Sequence, residues 1–197
     1  MKKRDIISIL IIGEIVAVFL ILVLRNLGYF FNWIWFSLII LPILALIALA
    51  LAYLISKKIK FVFQFAKFVA VGFANTAVDF GVLNILMLIS GVIGGLTYSI
   101  FKGISFMTAT AHSFIWNKFW TFERAETKKT GKEALQFFVV SLVGLVINVV
   151  VASLVVNTIG PRWDISLKLW ANIGAACGSV SGLLWNFLGY KFIVFKK

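Results

Sequence analysis

At the C-terminal ends of two apolar runs a side-chain amide lies near an ammonium: Asn117 beside Lys118, and Asn186 five residues before Lys191. An ammonium holds phosphate as a point charge, and an amide adds neutral donors, so either pair suits a phosphate group. Both pairs close long apolar runs. That places them at headgroup depth, where basic pockets between helices receive lipid phosphates. Asn117, Lys118, Asn186 and Lys191 are therefore read as donors to one lipid phosphate, held between the ends of the fourth and sixth helices. A plainer reading stands beside this one, in which the lysines anchor helix ends within an aromatic belt of Trp116, Trp120 and Tyr190.

A second polar set lies inside the apolar runs. Asp79 falls about a dozen residues into its run, near the bilayer midplane, where an ionised carboxylate costs at least about 2.5 kcal/mol. Asn75 is one helical turn earlier on the same face. With His112 and Asn148 these residues form a polar seam, which either lines a substrate path or hydrogen-bonds helices together. His112, the single histidine, is either a partner of Asp79 in a proton-linked switch or a hydrogen-bonded structural side chain. Glu14 is a further buried acid, to which no role is assigned. No paired carboxylates, nucleophile with a base, or metal-ligand cluster is evident, so no catalytic residue, cofactor or metal is expected.

These residues need elements to carry them, and composition says which. Of 197 residues 62% are hydrophobic and 13% charged, with a mean hydropathy of +1.05. Ordinary soluble domains are nearer half apolar and a quarter charged, so a soluble enzyme is excluded. A spanning helix needs about 20 apolar residues. Such runs lie near 6 to 24, 33 to 55, 66 to 90, 97 to 117, 135 to 157 and 167 to 190, and Pro42 is expected to kink the second. The fold class is all-α, a polytopic bundle of six transmembrane helices. The first run is read as a retained helix rather than a leader, being long, interrupted by Glu14 and without a small-x-small site before Arg25. Cys177 is the only cysteine, which leaves no disulfide within one chain.

Net charge is +12, but the cations sit in short clusters between apolar runs, which points to membrane orientation and not to nucleic acid. With the N-terminus inside, only Arg25, Lys102, Arg162 and Lys168 of the 19 Lys and Arg fall on or near the other side. An even number of spans returns the C-terminus to the cytoplasm. The expected location is the cytoplasmic (inner) membrane, multi-pass, with both ends inside.

Residues 64 to 117 align with 133 to 186 at one constant offset, pairing Phe68 with Phe137, Asp79 with Asn148, Ser113 with Gly182, and Trp116-Asn117 with Trp185-Asn186. Beyond them Trp120-Thr121-Phe122 resembles Tyr190-Lys191-Phe192 after a one-residue slip. Each unit holds two helices, so the repeat is parallel, related by an axis along the membrane normal. Two domains follow: an N-terminal helix pair at 1–60, and a four-helix domain at 61–197 with repeats 64–122 and 133–195. Gly174, Gly178 and Gly182 make a stripe permitting close helix approach, between repeats or between subunits, and a homodimer or larger assembly is expected.

The string Phe68-Val69-Ala70-Val71-Gly72, then Asn75-Thr76 and Asp79, then Ser113-Phe114-Ile115-Trp116-Asn117-Lys118-Phe119-Trp120-Thr121-Phe122, resembles the GtrA family over residues 64 to 197. The closing run from Asn186 to Phe195 is similar to that family's last-helix signature. The resemblance implies a four-helix membrane protein of cell-surface polysaccharide synthesis that translocates or handles polyprenyl-phosphate-linked sugar. A second implied function is an accessory module that binds polyprenyl phosphate and docks a membrane glycosyltransferase; an enzyme in its own right ranks last. Two departures stand out. The N-terminal helix pair lies outside the usual core, and Gly144 occupies the second-repeat position that Asn75 holds in the first.

Overall fold

Hydrocarbon offers no partner for a backbone N–H or C=O, so long apolar segments satisfy themselves as helices. A computed structural model describes residues 1–26, 31–91, 95–123, 130–160 and 167–196. Arg124, Lys128, Lys129, Pro161, Arg162 and Lys197 lie outside the described residues, as do the side chains of Lys102 and Lys168 and the surroundings of Gly174.

The described elements are all helical. Helix α1 spans Lys3–Asn26, with Asp5 in its first turn and Arg25 in its last, each complementing the helix dipole. A short 3-10 turn, Asn32–Phe36, leads into α2, Ser37–Ser56. Helix α3, Phe61–Ser90, ends where Gly91 turns left-handed at φ 69° and its N–H reaches the Met87 carbonyl at 2.9 Å. Helix α4, Gly95–Trp116, runs on into a π-helical turn, Asn117–Thr121. Helix α5, Thr130–Ser153, does the same through Leu154–Ile159, and α6, Leu167–Gly189, through Tyr190–Val194.

Helix α2 carries through Pro42 instead of ending there. The proline is buried against α1, so close to Gly13 that a Cβ on that glycine would overlap its Cα. Among the described residues, four helices are long and apolar enough to cross a membrane: Lys3–Asn26, Asn32–Ser56, Phe61–Ser90 and Gly131–Asn148. Their outward faces are apolar; Ile39, Ile43, Ile47 and Leu51 of α2 are all exposed. Those faces suit lipid, not water.

The chain divides into two compact units, Met1–Ala125 and Glu126–Lys197. In the first, α1 packs on α2 and α3, and α3 on α4. Its core gathers Ile9, Ile12, Leu49, Val71, Ala74 and Trp120. One end joins the start of α1 to the start of α3 and the end of α4 through Asp5, Lys67 and Trp120. The other end joins α1 to α3 where Asn26 Nδ2 donates to Asn84 Oδ1 at 2.6 Å. Neighbours α3 and α4 are therefore antiparallel. In the second unit α5 packs on α6, with Phe137 stacked on Tyr190 at 3.9 Å between ring centroids.

Candidate functional site

The end of the first unit that carries Asp5 is its chemically richest region. Asp5 is 1% exposed and Lys67 4% exposed. Lys67 Nζ meets Asp5 Oδ1 at 2.5 Å. Trp120 Nε1 donates to the same oxygen at 3.1 Å, and the Lys2 backbone N–H donates to Asp5 Oδ2 at 2.9 Å. The ammonium also lies over the rings of Phe63 at 4.6 Å and Trp120 at 5.4 Å. Pairing at this density is what allows two opposite charges to be buried.

Glu123 follows the α4 turn with a left-handed φ of 52°, which brings its carboxylate back over this end. It takes ion pairs from Arg4 at 2.8 Å, Lys2 at 3.2 Å and Lys67 at 3.6 Å. Burial alone would raise its carboxyl, but the hydrogen bond from Lys2 and the charges of Lys67, Lys2 and Arg4 outweigh that and hold it below the ordinary value.

Asn117 and Lys118 open the π turn of α4, each 1% exposed. The Asn117 amide nitrogen donates to the Ser113 carbonyl at 2.9 Å and to Ser113 Oγ at 3.2 Å. A carbonyl accepts only, so the NH₂ must face Ser113, and the side chain presents an oxygen to its other side. Asn117 thus offers an acceptor where the sequence suggested a donor. Asn117 Oδ1 and Thr121 Oγ1 are buried with no hydrogen-bond partner among the described residues. Lys118 Nζ rests over the rings of Phe114 at 5.9 Å and Phe119 at 5.8 Å.

The second unit builds a matching turn. Lys191 Nζ rests over Phe187 at 5.6 Å and Phe192 at 5.5 Å, the same neighbours in sequence spacing as for Lys118. Both turns close with an i to i+5 bond, Phe122 N–H to Asn117 at 2.9 Å and Phe195 N–H to Tyr190 at 2.8 Å. Lys118 and Lys191 therefore hold the same local position, whereas Tyr190 stands where Asn117 does. The register of these turns differs from the one-residue slip read from sequence. Asn186 lies one helical turn earlier, still in α6, with its amide folded against Gly144 of α5. That contact gives Gly144 its physical reason, since any side chain there would overlap Asn186.

Gly182 lies against the Gly144 carbonyl and Asn148 Cβ, at 2.9 and 3.3 Å from where a Cβ would sit. This part of the glycine stripe serves the approach of α6 to α5 inside one pair. The polar seam is also rearranged. Ser105 of α4, fully buried, donates to Asp79 Oδ1 at 2.6 Å. His112 is not paired with Asp79: both its ring nitrogens are buried without a partner among the described residues, and its ring sits 6.2 Å from that of Trp116. Asn75 Oδ1 is likewise buried without a partner among the described residues. Glu14, expected to be buried, is exposed on α1.

Sequence reasoning assigned no site role to Asp5, Lys67, Ser105 or Thr121. Two signals were present: Asp5 directly follows a run of three cations, and Lys67 is the one cation inside α3.

Residues 67–195 match the family model described as GtrA/DPMS, transmembrane domain. The chain is 30% identical over 141 residues to the uncharacterized membrane protein YngA of Bacillus subtilis (strain 168), covering 72% of this chain and 83% of that protein. No solved structure matches the chain.

Proposed function

Because the chain belongs to the GtrA/DPMS transmembrane-domain family, we propose that it carries polyprenyl-phosphate-linked sugar across the cytoplasmic membrane for cell-surface polysaccharide synthesis, without chemistry on that substrate. In this reading the protein has six spans with both termini cytoplasmic, and α3–α4 and α5–α6 form a parallel repeat. Asn117 and Lys118 serve the lipid phosphate and its sugar in the first unit, and Asn186 and Lys191 are the corresponding residues of the second. Asn75, Asp79, His112 and Asn148 belong to the polar path.

The observation that carries this reading is the chemistry of the α4 turn. A buried ammonium, Lys118, suits a phosphate, and the orphaned oxygens of Asn117 and Thr121 suit hydroxyl donors such as those of a sugar. A lipid phosphate bearing a sugar offers both. Reconstitution of the pure protein in liposomes with labelled polyprenyl-phosphate sugar tests it: transbilayer movement is expected, and its absence overturns translocation.

One observation favours the second reading, an accessory module for a membrane glycosyltransferase. Glu14 lies about 16 Å along α1 from Lys3, on a face with exposed Ile7, Ile11 and Val18. A carboxylate left in lipid there costs at least about 2.5 kcal/mol, so that face calls for a donor from another membrane helix. Co-purification of a glycosyltransferase that is lost on Glu14→Leu, with no lipid movement, would assign this role instead.

A further inference from the structure

Three donors meet the Asp5 carboxylate: the Lys67 ammonium, the Trp120 indole N–H and the Lys2 backbone N–H. None of these is specific to an aspartate, and any small oxyanion could use them. Lys67 and Trp120 fall within residues 67–195, which match the family, whereas Asp5 comes from the helix that precedes the match. The matched region alone supplies this ammonium, this indole N–H and Glu123, 3.6 Å from Lys67, but not the carboxylate of α1 that takes both donors here. Those two donors suit an anion in the place of Asp5.

We propose that Lys67 and Trp120 form a binding site for a lipid phosphate, and that Asp5 fills this site as an internal stand-in, so that α1 gates it. The proposal rests on the lipid-phosphate reading above, but on a different set of residues. The surroundings support exchange of one anion for the other. Among the described residues at this end, the cations Lys2, Arg4 and Lys67 share two carboxylates, Asp5 and Glu123, so positive charge is in excess. The side chains of Lys2 and Arg4 are 69% and 51% exposed. An arriving phosphate meets them first, and a displaced Asp5 has cations at hand. Lys67 keeps Glu123 at 3.6 Å when Asp5 leaves, so it is never without a counter-charge.

The test uses the full chain in mild detergent, with polyprenyl monophosphate as ligand and the neutral polyprenol of the same length as control. Asp5→Asn keeps the shape of the side chain and removes its charge. It is expected to tighten binding of the phosphate by about tenfold or more, the worth of a charge-assisted hydrogen bond, and to leave polyprenol unchanged. Lys67→Gln in the Asp5→Asn background is expected to abolish the gain. Inorganic phosphate run in parallel separates the headgroup from the lipid: a gain for it as well places recognition in the phosphate itself.

The wild-type protein gives a second measurement that needs no variant. Saturating polyprenyl monophosphate is expected to speed amide hydrogen exchange in residues 1 to 9, because Asp5 is displaced. Unchanged or slower exchange there, with the lipid bound, overturns the proposal, as does a folded Asp5→Asn variant that binds no more tightly. Those results leave lipid-phosphate binding by the wild type intact. Absence of binding by wild type and variant alike removes both readings.

Discussion

The Asn186 amide of α6 lies directly over the Cα of Gly144 in α5. A methyl group on Gly144 would overlap the Asn186 side-chain amide, which would have to leave its place against α5. Gly144→Ala is therefore expected to destabilise the α5–α6 pair by about 1–3 kcal/mol. Combining it with Asn186→Ala should recover most of the loss, which thermal unfolding of the four proteins of the cycle in detergent will measure. Equal and additive losses would show that the two residues do not share the space.

Lys67 and Asp5 are not symmetric partners. Loss of Lys67 leaves a buried Asp5 carboxylate held by the Trp120 and Lys2 N–H groups alone, whereas loss of the Asp5 charge leaves Lys67 with Glu123 at 3.6 Å. Lys67→Met is expected to cost about 3–5 kcal/mol, and Asp5→Asn about 1–3 kcal/mol. Denaturant unfolding that ranks them the other way would refute this account of the charged end.

Glu123 makes this end acid-sensitive. Its carboxyl is held below the ordinary 4.5 by its cationic neighbours, so its stabilising contribution is complete above that value and fades as pH falls through the depressed one. A fall in thermal stability is expected below about pH 4.5, reduced in Glu123→Gln. A stability profile that is the same for both proteins would show that Glu123 contributes nothing there.

The α4 turn predicts a division between binding and movement. Asn117→Ala and Lys118→Ala should each weaken binding of polyprenyl-phosphate sugar, Lys118→Ala by about tenfold or more. Asp79→Asn, which alters the group that Ser105 holds at 2.6 Å, should slow movement more than it weakens binding. Native mass spectrometry reads binding and liposome assays read movement. Undiminished binding by Lys118→Ala together with Asn186→Ala would remove these residues from the site.

Orientation is checked by single cysteines in a Cys177→Ser background. An impermeant thiol reagent applied outside should reach positions 25 to 32 and 160 to 166 but not 124 to 132. Labelling in the reverse pattern would invert the proposed topology.

The amino-acid sequence by itself determined that this is a helical membrane protein of the GtrA/DPMS family. Apolar length and charge placement act locally, since each helix satisfies its own backbone in hydrocarbon, and the family's motifs are contiguous strings. Helix boundaries near 66 and 135 were placed late, at residues where α3 and α5 are already helical from Phe61 and Thr130. Tertiary structure alone decided which polar groups meet. Asp5 finds Lys67 and Trp120 across 62 and 115 residues of chain, Asp79 finds Ser105 and not His112, and Asn186 finds the bare Cα of Gly144. Helical periodicity assigns a residue to a face, but the partner on that face depends on how neighbouring helices cross and at what height. That is a property of packed surfaces, and no spacing along one chain encodes it.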